Sequence, residues 1–180
     1  MKKVLFVSLA TMALTACGGG ATDADADGDG EVTATEARAA TQAAGANLKP
    51  EPGKYKSTMT FVTADIPGLP EEAKGMMGSN MNFSSEFCMT QEMADEGFEQ
   101  AAEQGQQGDC SMSKYEIDGS DVSMEMACKQ PGAGDMNVSM QGTVTPTRSE
   151  FDVTTKGEIP QFGEAEFTMS MVQERIGDCD

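Results

Sequence analysis

The sequence predicts a mainly β protein: an antiparallel meander of about seven strands forming a curved sheet or partly closed barrel, with one helix and disulfides. Three observations carry this. Segments after residue 53 place apolar side chains at every second position, the period of a strand with one buried face. Asp118-Gly119-Ser120 offers the positive φ that a tight hairpin turn needs. Cys88, Cys110, Cys128 and Cys179 follow Cys17, and an even number of cysteines in an oxidising compartment reads as a disulfide framework. A sheet with one apolar face must curl on itself or be covered.

Residues 1–16 read as a targeting segment. Lys2 and Lys3 precede the apolar run Val4 to Leu14, which is shorter than the roughly 20 residues of a membrane-spanning helix. The run ends in Leu14-Thr15-Ala16-Cys17-Gly18, which resembles the bacterial lipobox. The resemblance implies cleavage before Cys17, diacylglycerol on its thiol and an acylated amine; Gly18 after the cysteine implies sorting to the outer membrane. An ordinary signal peptide with a chance cysteine is the alternative. Acyl chains anchor at about 0.8 kcal/mol per buried CH₂. The expected location is the outer membrane, facing the periplasm, with the membrane as a partner through the lipid on Cys17.

Residues 17–49 read as a lipidated acidic tether. Within it, Asp25-Ala26-Asp27-Gly28-Asp29-Gly30-Glu31-Val32-Thr33-Ala34-Thr35-Glu36 resembles the EF-hand calcium loop. Asp25, Asp27 and Asp29 stand at positions 1, 3 and 5, and the carbonyl of Glu31 stands at position 7. Thr33 stands at position 9 and Glu36 at position 12, where a bidentate carboxylate belongs; Gly30 permits the sharp turn, and Val32 is the apolar anchor. Calcium is therefore the cofactor these residues point to. The flanks argue for a weak site, with a dissociation constant of about 10⁻⁴–10⁻³ M. Too few residues precede Asp25 for an entering helix, and Ala37–Ala46, though helix-forming, carries no large apolar residue. An acidic spacer is the competing reading.

Leu48 to Gly53, with two prolines, marks the start of a β-domain over 50–180. Tyr55, Met59 and Phe61 alternate with polar residues in a first strand. Residues 64–80, rich in Pro, Gly and Met, read as a long loop whose Met76-Met77 pair covers the core, with contact to an apolar ligand as the alternative. Met81, Phe83, Phe87 and Met89 line a second strand. Thr90 then caps a helix expected over 91–104, with Met93, Ala94, Gly97, Phe98 and Ala101 as its stripe and Gly105 at its end. A three-residue loop centred on Gly119 sets Cys110 opposite Cys128, Met112 opposite Met126 and Glu116 opposite Val122. Cysteines facing across a hairpin lie within bridging distance, so a Cys110–Cys128 disulfide is expected, which leaves Cys88–Cys179. Strands around Met136–Val144, Phe151–Thr155 and Ala165–Met171 complete the set.

Charge and composition exclude several functions. Twelve basic against 30 acidic residues give a net charge of −18, which nucleic-acid phosphates and anionic lipid headgroups both repel, so neither is expected as a partner surface for the acidic chain. Histidine is absent, removing the commonest general base and metal ligand. No nucleophile–base constellation can be named, and a non-enzymatic protein is the expectation. No Cys-x-x-Cys pair supports a zinc or redox site. The 15 methionines include Met124-x-Met126 and Met169-x-Met171, spaced like soft copper ligands, but a buried strand face produces the same period. A Met-lined interior keeps one alternative function open, a carrier of an apolar, lipid-like ligand. The sequence names no protein partner.

Pro52-Gly53-Lys54-Tyr55, Ile66-Pro67-Gly68, Cys88-Met89-Thr90, Gly108-Asp109-Cys110, Met126-Ala127-Cys128 and Arg175-Ile176-Gly177-Asp178-Cys179 occur in an order that resembles domain of unknown function 3617. That family commonly carries Trp where this chain has Tyr55. The resemblance implies an exported β-rich domain with paired cysteines, and brings no activity and no catalytic residues.

Overall fold

The computed structural model describes residues 22–45, 48–95, 109–130, 134–159 and 162–179. Its elements are β1 (Thr22–Asp23), α1 (Ala34–Ala44), β2 (Gly53–Asp65), α2 (Glu71–Met81), β3 (Phe83–Met89), β4 (Asp109–Asp118), β5 (Asp121–Gln130), β6 (Gly134–Val144), β7 (Arg148–Ile159) and β8 (Gly163–Gly177). The strands form one antiparallel sheet in the order β1-β4-β5-β6-β7-β8-β2-β3. Seven of them are the predicted meander, to which β1 adds two residues. The first and last strands do not pair, so the sheet is open rather than closed into a barrel.

Alternation sends most of the apolar strand residues to one face, with Val172 on the other and Val62 and Ile176 exposed. In one row across six strands, Phe61, Met169, Val153, Met140, Met124 and Tyr115 are consecutive neighbours. In the next row, Phe151 faces Gly142, where an added Cβ would collide with the Phe151 ring and the Glu150 carbonyl. The absent side chain of Gly142 is therefore the space that Phe151 fills.

The Cys110–Cys128 disulfide forms, and Met112 faces Met126 as expected. Closer to the turn the register differs. Glu116 faces Ser123 and Ile117 faces Val122, because Gly119-Ser120 is a two-residue turn and a bulge at Ser113 takes up the extra residue. Gly119, at φ 63°, occupies the turn position that requires positive φ. The bulge reverses the facing of every later β4 side chain, and this turns Tyr115 and Ile117 into the core.

The expected loop over 64–80 is instead the end of β2 and helix α2. Pro70 precedes the helix, and Glu71 and Glu72 sit at its positive end, both favourable to a start. Two internal glycines obscured it in the sequence. One of them, Gly78, lets the helix lie on Phe61, where a Cβ would meet the ring at 2.7 Å. Met76 is 70% exposed and so does not cover the core; the Met77 side chain lies outside the described residues. Met81 belongs to the end of α2 rather than to a strand.

Thr90 caps as predicted: its Oγ1 accepts from the Met93 amide at 3.1 Å, and 91–95 is helical with Ala94 buried. The expected continuation through Gly97, Phe98, Ala101 and Gly105 lies outside the described residues. The second bridge, Cys88–Cys179, joins edge strand β3 to the chain after β8.

Candidate functional site

The acidic segment is bound to the sheet along its outer edge. β1 pairs with β4, Thr22 facing Ile117 and Asp23 facing Glu116. The Ala24 amide then donates to the Tyr115 carbonyl at 2.9 Å, and the Val32 amide to the Met112 carbonyl at 2.7 Å. These two bonds flank the Ser113 bulge and hold both ends of the intervening loop against β4. Ala24 and Val32 are each 3% exposed. Val32, the apolar anchor of the calcium-loop pattern, thus packs on a sheet edge, where a paired EF-hand would offer its second loop.

Between these anchors the carboxylates converge. One oxygen each from Asp25, Asp27 and Asp29 lies within 4.8 Å of the others. Ligands held about 2.3–2.6 Å from a calcium ion cannot be farther apart than about 5 Å, so the trio fits the spacing such an ion needs. Asp25 accepts from the Gly28 amide at 2.8 Å and the Gly30 amide at 3.1 Å, which folds the loop around its first ligand position. Gly28 and Gly30 adopt φ 74° and 85°, so the turn uses their freedom from a side chain. Asp27 and Asp29 accept from the amides two residues on. Glu31 is exposed, and its carbonyl is the ligand its position offers.

Glu36 is held differently. Its Oε2 accepts from the Thr33 amide at 2.9 Å and the Thr33 hydroxyl at 2.8 Å, and its Oε1 accepts from the Ala26 amide at 3.2 Å. The Glu36 amide donates back to Thr33 Oγ1 at 3.3 Å, completing a capping box on α1. These bonds, led by the Thr33 amide, hold the Glu36 carboxyl below its ordinary value. Glu36 therefore reaches the loop but stands outside the three-carboxylate group. The Thr33-x-x-Glu36 spacing announces this cap in the sequence, where the reading assigned both residues to calcium alone.

α1 completes the docking. Its buried residues are alanines, Ala37 and Ala40, and their small size lets the helix lie close on the sheet. They join Leu48, Tyr115, Val122 and Phe151 in the main core, with Met124, Met140 and Val153 packed against it. The Thr41 hydroxyl donates to the Ala37 carbonyl at 2.8 Å, which leaves its oxygen to accept from Tyr115 at 3.0 Å. Burial pushes the Tyr115 phenol above its ordinary value, with the Thr41 hydroxyl pulling the other way.

Cys17, the lipidation candidate, lies outside the described residues. Among the described residues, the lowered carboxylates besides Glu36 are Glu86, bonded to Lys54, and Asp95, bonded to Lys49, both on the surface. A groove of about 120 Å³ opens on the polar face between Glu125, Asn137, Ser139 and Lys156. It is smaller than the roughly 300–1,000 Å³ of a typical ligand pocket. The Met-lined face lies on the opposite side of the sheet, and Met124, Met126, Val138 and Met169 there are half-buried.

No curated protein and no solved structure matches the chain. Residues 50–179 match the family described as Protein of unknown function (DUF3617), beginning close to β2 and ending at the second bridged cysteine. The packed unit reaches back beyond that match, to Thr22. With strands β2 to β8, both disulfides and most of its length inside the match, this chain belongs to the DUF3617 family.

Proposed function

We infer that this protein is a non-enzymatic lipoprotein of the outer membrane, anchored through Cys17 and facing the periplasm, with a weak calcium loop over 25–36 docked on its β-domain. The observation that carries the calcium reading is the convergence of Asp25, Asp27 and Asp29 within 4.8 Å, in a loop anchored at both ends to β4. Asp25, Asp27 and Asp29 would supply carboxylate oxygens, Glu31 its carbonyl and Thr33 a contact through water. Glu36 would have to give up its bonds to Thr33 and Ala26 to complete the set, which costs affinity and agrees with a weak site. A bound cation offsets the mutual repulsion of the carboxylates and holds the loop, and with it α1, on the sheet.

Calorimetric titration of the protein from residue 18 onward tests this. Saturable heat at millimolar calcium is expected, and Asp25→Ala with Glu36→Ala removes it; equal heats from both proteins would refute the site. The anchor has its own test. Cys17→Ala should leave the membrane fraction, and its retention there would remove the lipoprotein reading.

A second reading, the binding of an apolar ligand, draws on the half-buried Met124, Met126, Val138 and Met169 on one face. Lipid co-purifying in stoichiometric amount, detected by mass spectrometry, would support it, and its absence would count against it.

A further inference from the structure

The pairing of β1 with β4 fixes which end of the domain the anchored residue is tied to. β4 runs toward the Gly119-Ser120 turn, and β1, antiparallel to it, begins beside that turn with Thr22 facing Ile117. The chain before Thr22 therefore leaves from this end. The turn between β6 and β7 lies at the same end, joined to the first by the Val144 amide donating to the Ser120 carbonyl at 2.8 Å. The Cys88–Cys179 bridge also lies there, because β3 ends and β8 ends at that side of the sheet. The ends of β5 and β7, and the Cys110–Cys128 bridge, mark the opposite end.

The covalent distance is short. Five residue steps separate Cys17 from Thr22, and a fully extended chain advances at most about 3.6 Å per step, so Thr22 cannot lie more than about 18 Å from Cys17. β7, with 12 residues at about 3.4 Å each, is roughly twice that length. Because residues 22–45 are packed on the sheet, they provide no further reach. Thirty acidic residues against at most 12 basic ones are repelled by an anionic lipid surface. The end-on pose brings the exposed Asp118 and Asp121 of the near turn close to that surface, and lying flat would add exposed strand carboxylates such as Glu125, Asp135, Asp152 and Glu158 within a Debye length of about 8–10 Å.

We propose that the domain stands end-on at the bilayer, with the turns at 118–121 and 145–147 as its membrane-facing surface and the Cys110–Cys128 end projecting into the aqueous compartment. This rests on the reading of Cys17 as lipidated; the partner it identifies is the lipid surface itself. Its consequence is that any partner in solution meets the far end and the open sides of the sheet, not the near-end turns.

The chain has no tryptophan, so a single introduced one is an unambiguous donor. Ser120→Trp places it at the near end and Phe162→Trp, at a residue already 42% exposed, at the far end. Each full-length protein is isolated from membranes and reconstituted in phosphatidylcholine–phosphatidylglycerol vesicles containing a dansyl lipid acceptor. Energy transfer from Ser120→Trp is expected to exceed that from Phe162→Trp several-fold. A 12-residue Gly-Ser insertion between Ala21 and Thr22 is expected to bring the Ser120→Trp signal down toward the other. Equal transfer, or the reverse order, in protein that floats with the vesicles overturns the orientation and leaves the lipoprotein reading intact. Protein that neither floats nor carries lipid on Cys17 by mass spectrometry overturns both.

Discussion

Gly142 and Tyr115 show how single positions set the fit between sheet and helix. A Cβ at Gly142 would press on the Phe151 ring and the Glu150 carbonyl, in a row where Phe151 is 6% exposed and has little room to move. Gly142→Ala is expected to destabilise by about 1–3 kcal/mol, the usual cost of overpacking, read as a lower urea midpoint with an unchanged slope. Gly119→Ala, where nothing lies within 4 Å, should cost only the strain of positive φ, about 1 kcal/mol. Tyr115 gives the alkaline limit. Its folded value is raised above the ordinary 10.0, chiefly by burial, so its contribution to stability is fully present below pH 10.0 and is lost as pH rises from there through the folded value. With two tyrosines and no tryptophan in the chain, tyrosinate absorbance reads this directly. The folded protein should ionise later than the urea-unfolded one, and Tyr115→Phe should bring the delay closer to that of Tyr55 alone. Identical titrations in both states would count against a buried Tyr115.

Helix α1 depends on the sheet for its place. An 11-residue helix is too short to be stable alone in water. Its capping box and its contact through Ala37 and Ala40 are what keep it formed. Ala40→Leu is expected to push α1 away from Tyr115 and Phe151, costing about 1–3 kcal/mol and opening residues 22–45 to limited proteolysis. A variant cut no faster than the parent would show that α1 is not held by close approach. Met76→Gln on α2, at a side chain 70% exposed, should change stability by less than about 0.5 kcal/mol.

The two disulfides constrain the whole sheet unequally. Cys110–Cys128 closes a separation of 18 residues, and Cys88–Cys179 one of 91. Chain entropy assigns them about 3 and about 4–5 kcal/mol respectively. Cys88–Cys179 also secures β3, whose only strand partner among the described residues is β2. Cys88→Ser with Cys179→Ser is therefore expected to lower the unfolding midpoint more than Cys110→Ser with Cys128→Ser. The reverse order would mean that local strand pairing, not loop closure, dominates. In both cases the remaining bridge should still form, which mass spectrometry after thiol alkylation reads.

The sequence by itself determined the seven strands of the meander, the hairpin cysteines, the Thr90 cap and the calcium-loop pattern. Each is written in residues that are neighbours along the chain: a period of two, a glycine between two runs, a spacing of carboxylates. Only the tertiary structure decided three other features. The Ser113 bulge, which brings Tyr115 and Ile117 inside, follows from the competing demands of a two-residue turn and the Cys110–Cys128 bridge, and neither shows in the local alternation. Helix α2 appears where glycines lower local propensity, because Gly78 can lie against Phe61. The docking of residues 22–45 was illegible because alanines carry no apolar stripe large enough to read, and because the bonds from Ala24 and Val32 go to backbone atoms of β4, about 80–90 residues away, whose side-chain identity does not matter. Side-chain pattern is local information; the closeness of two backbones is known only once the chain has folded.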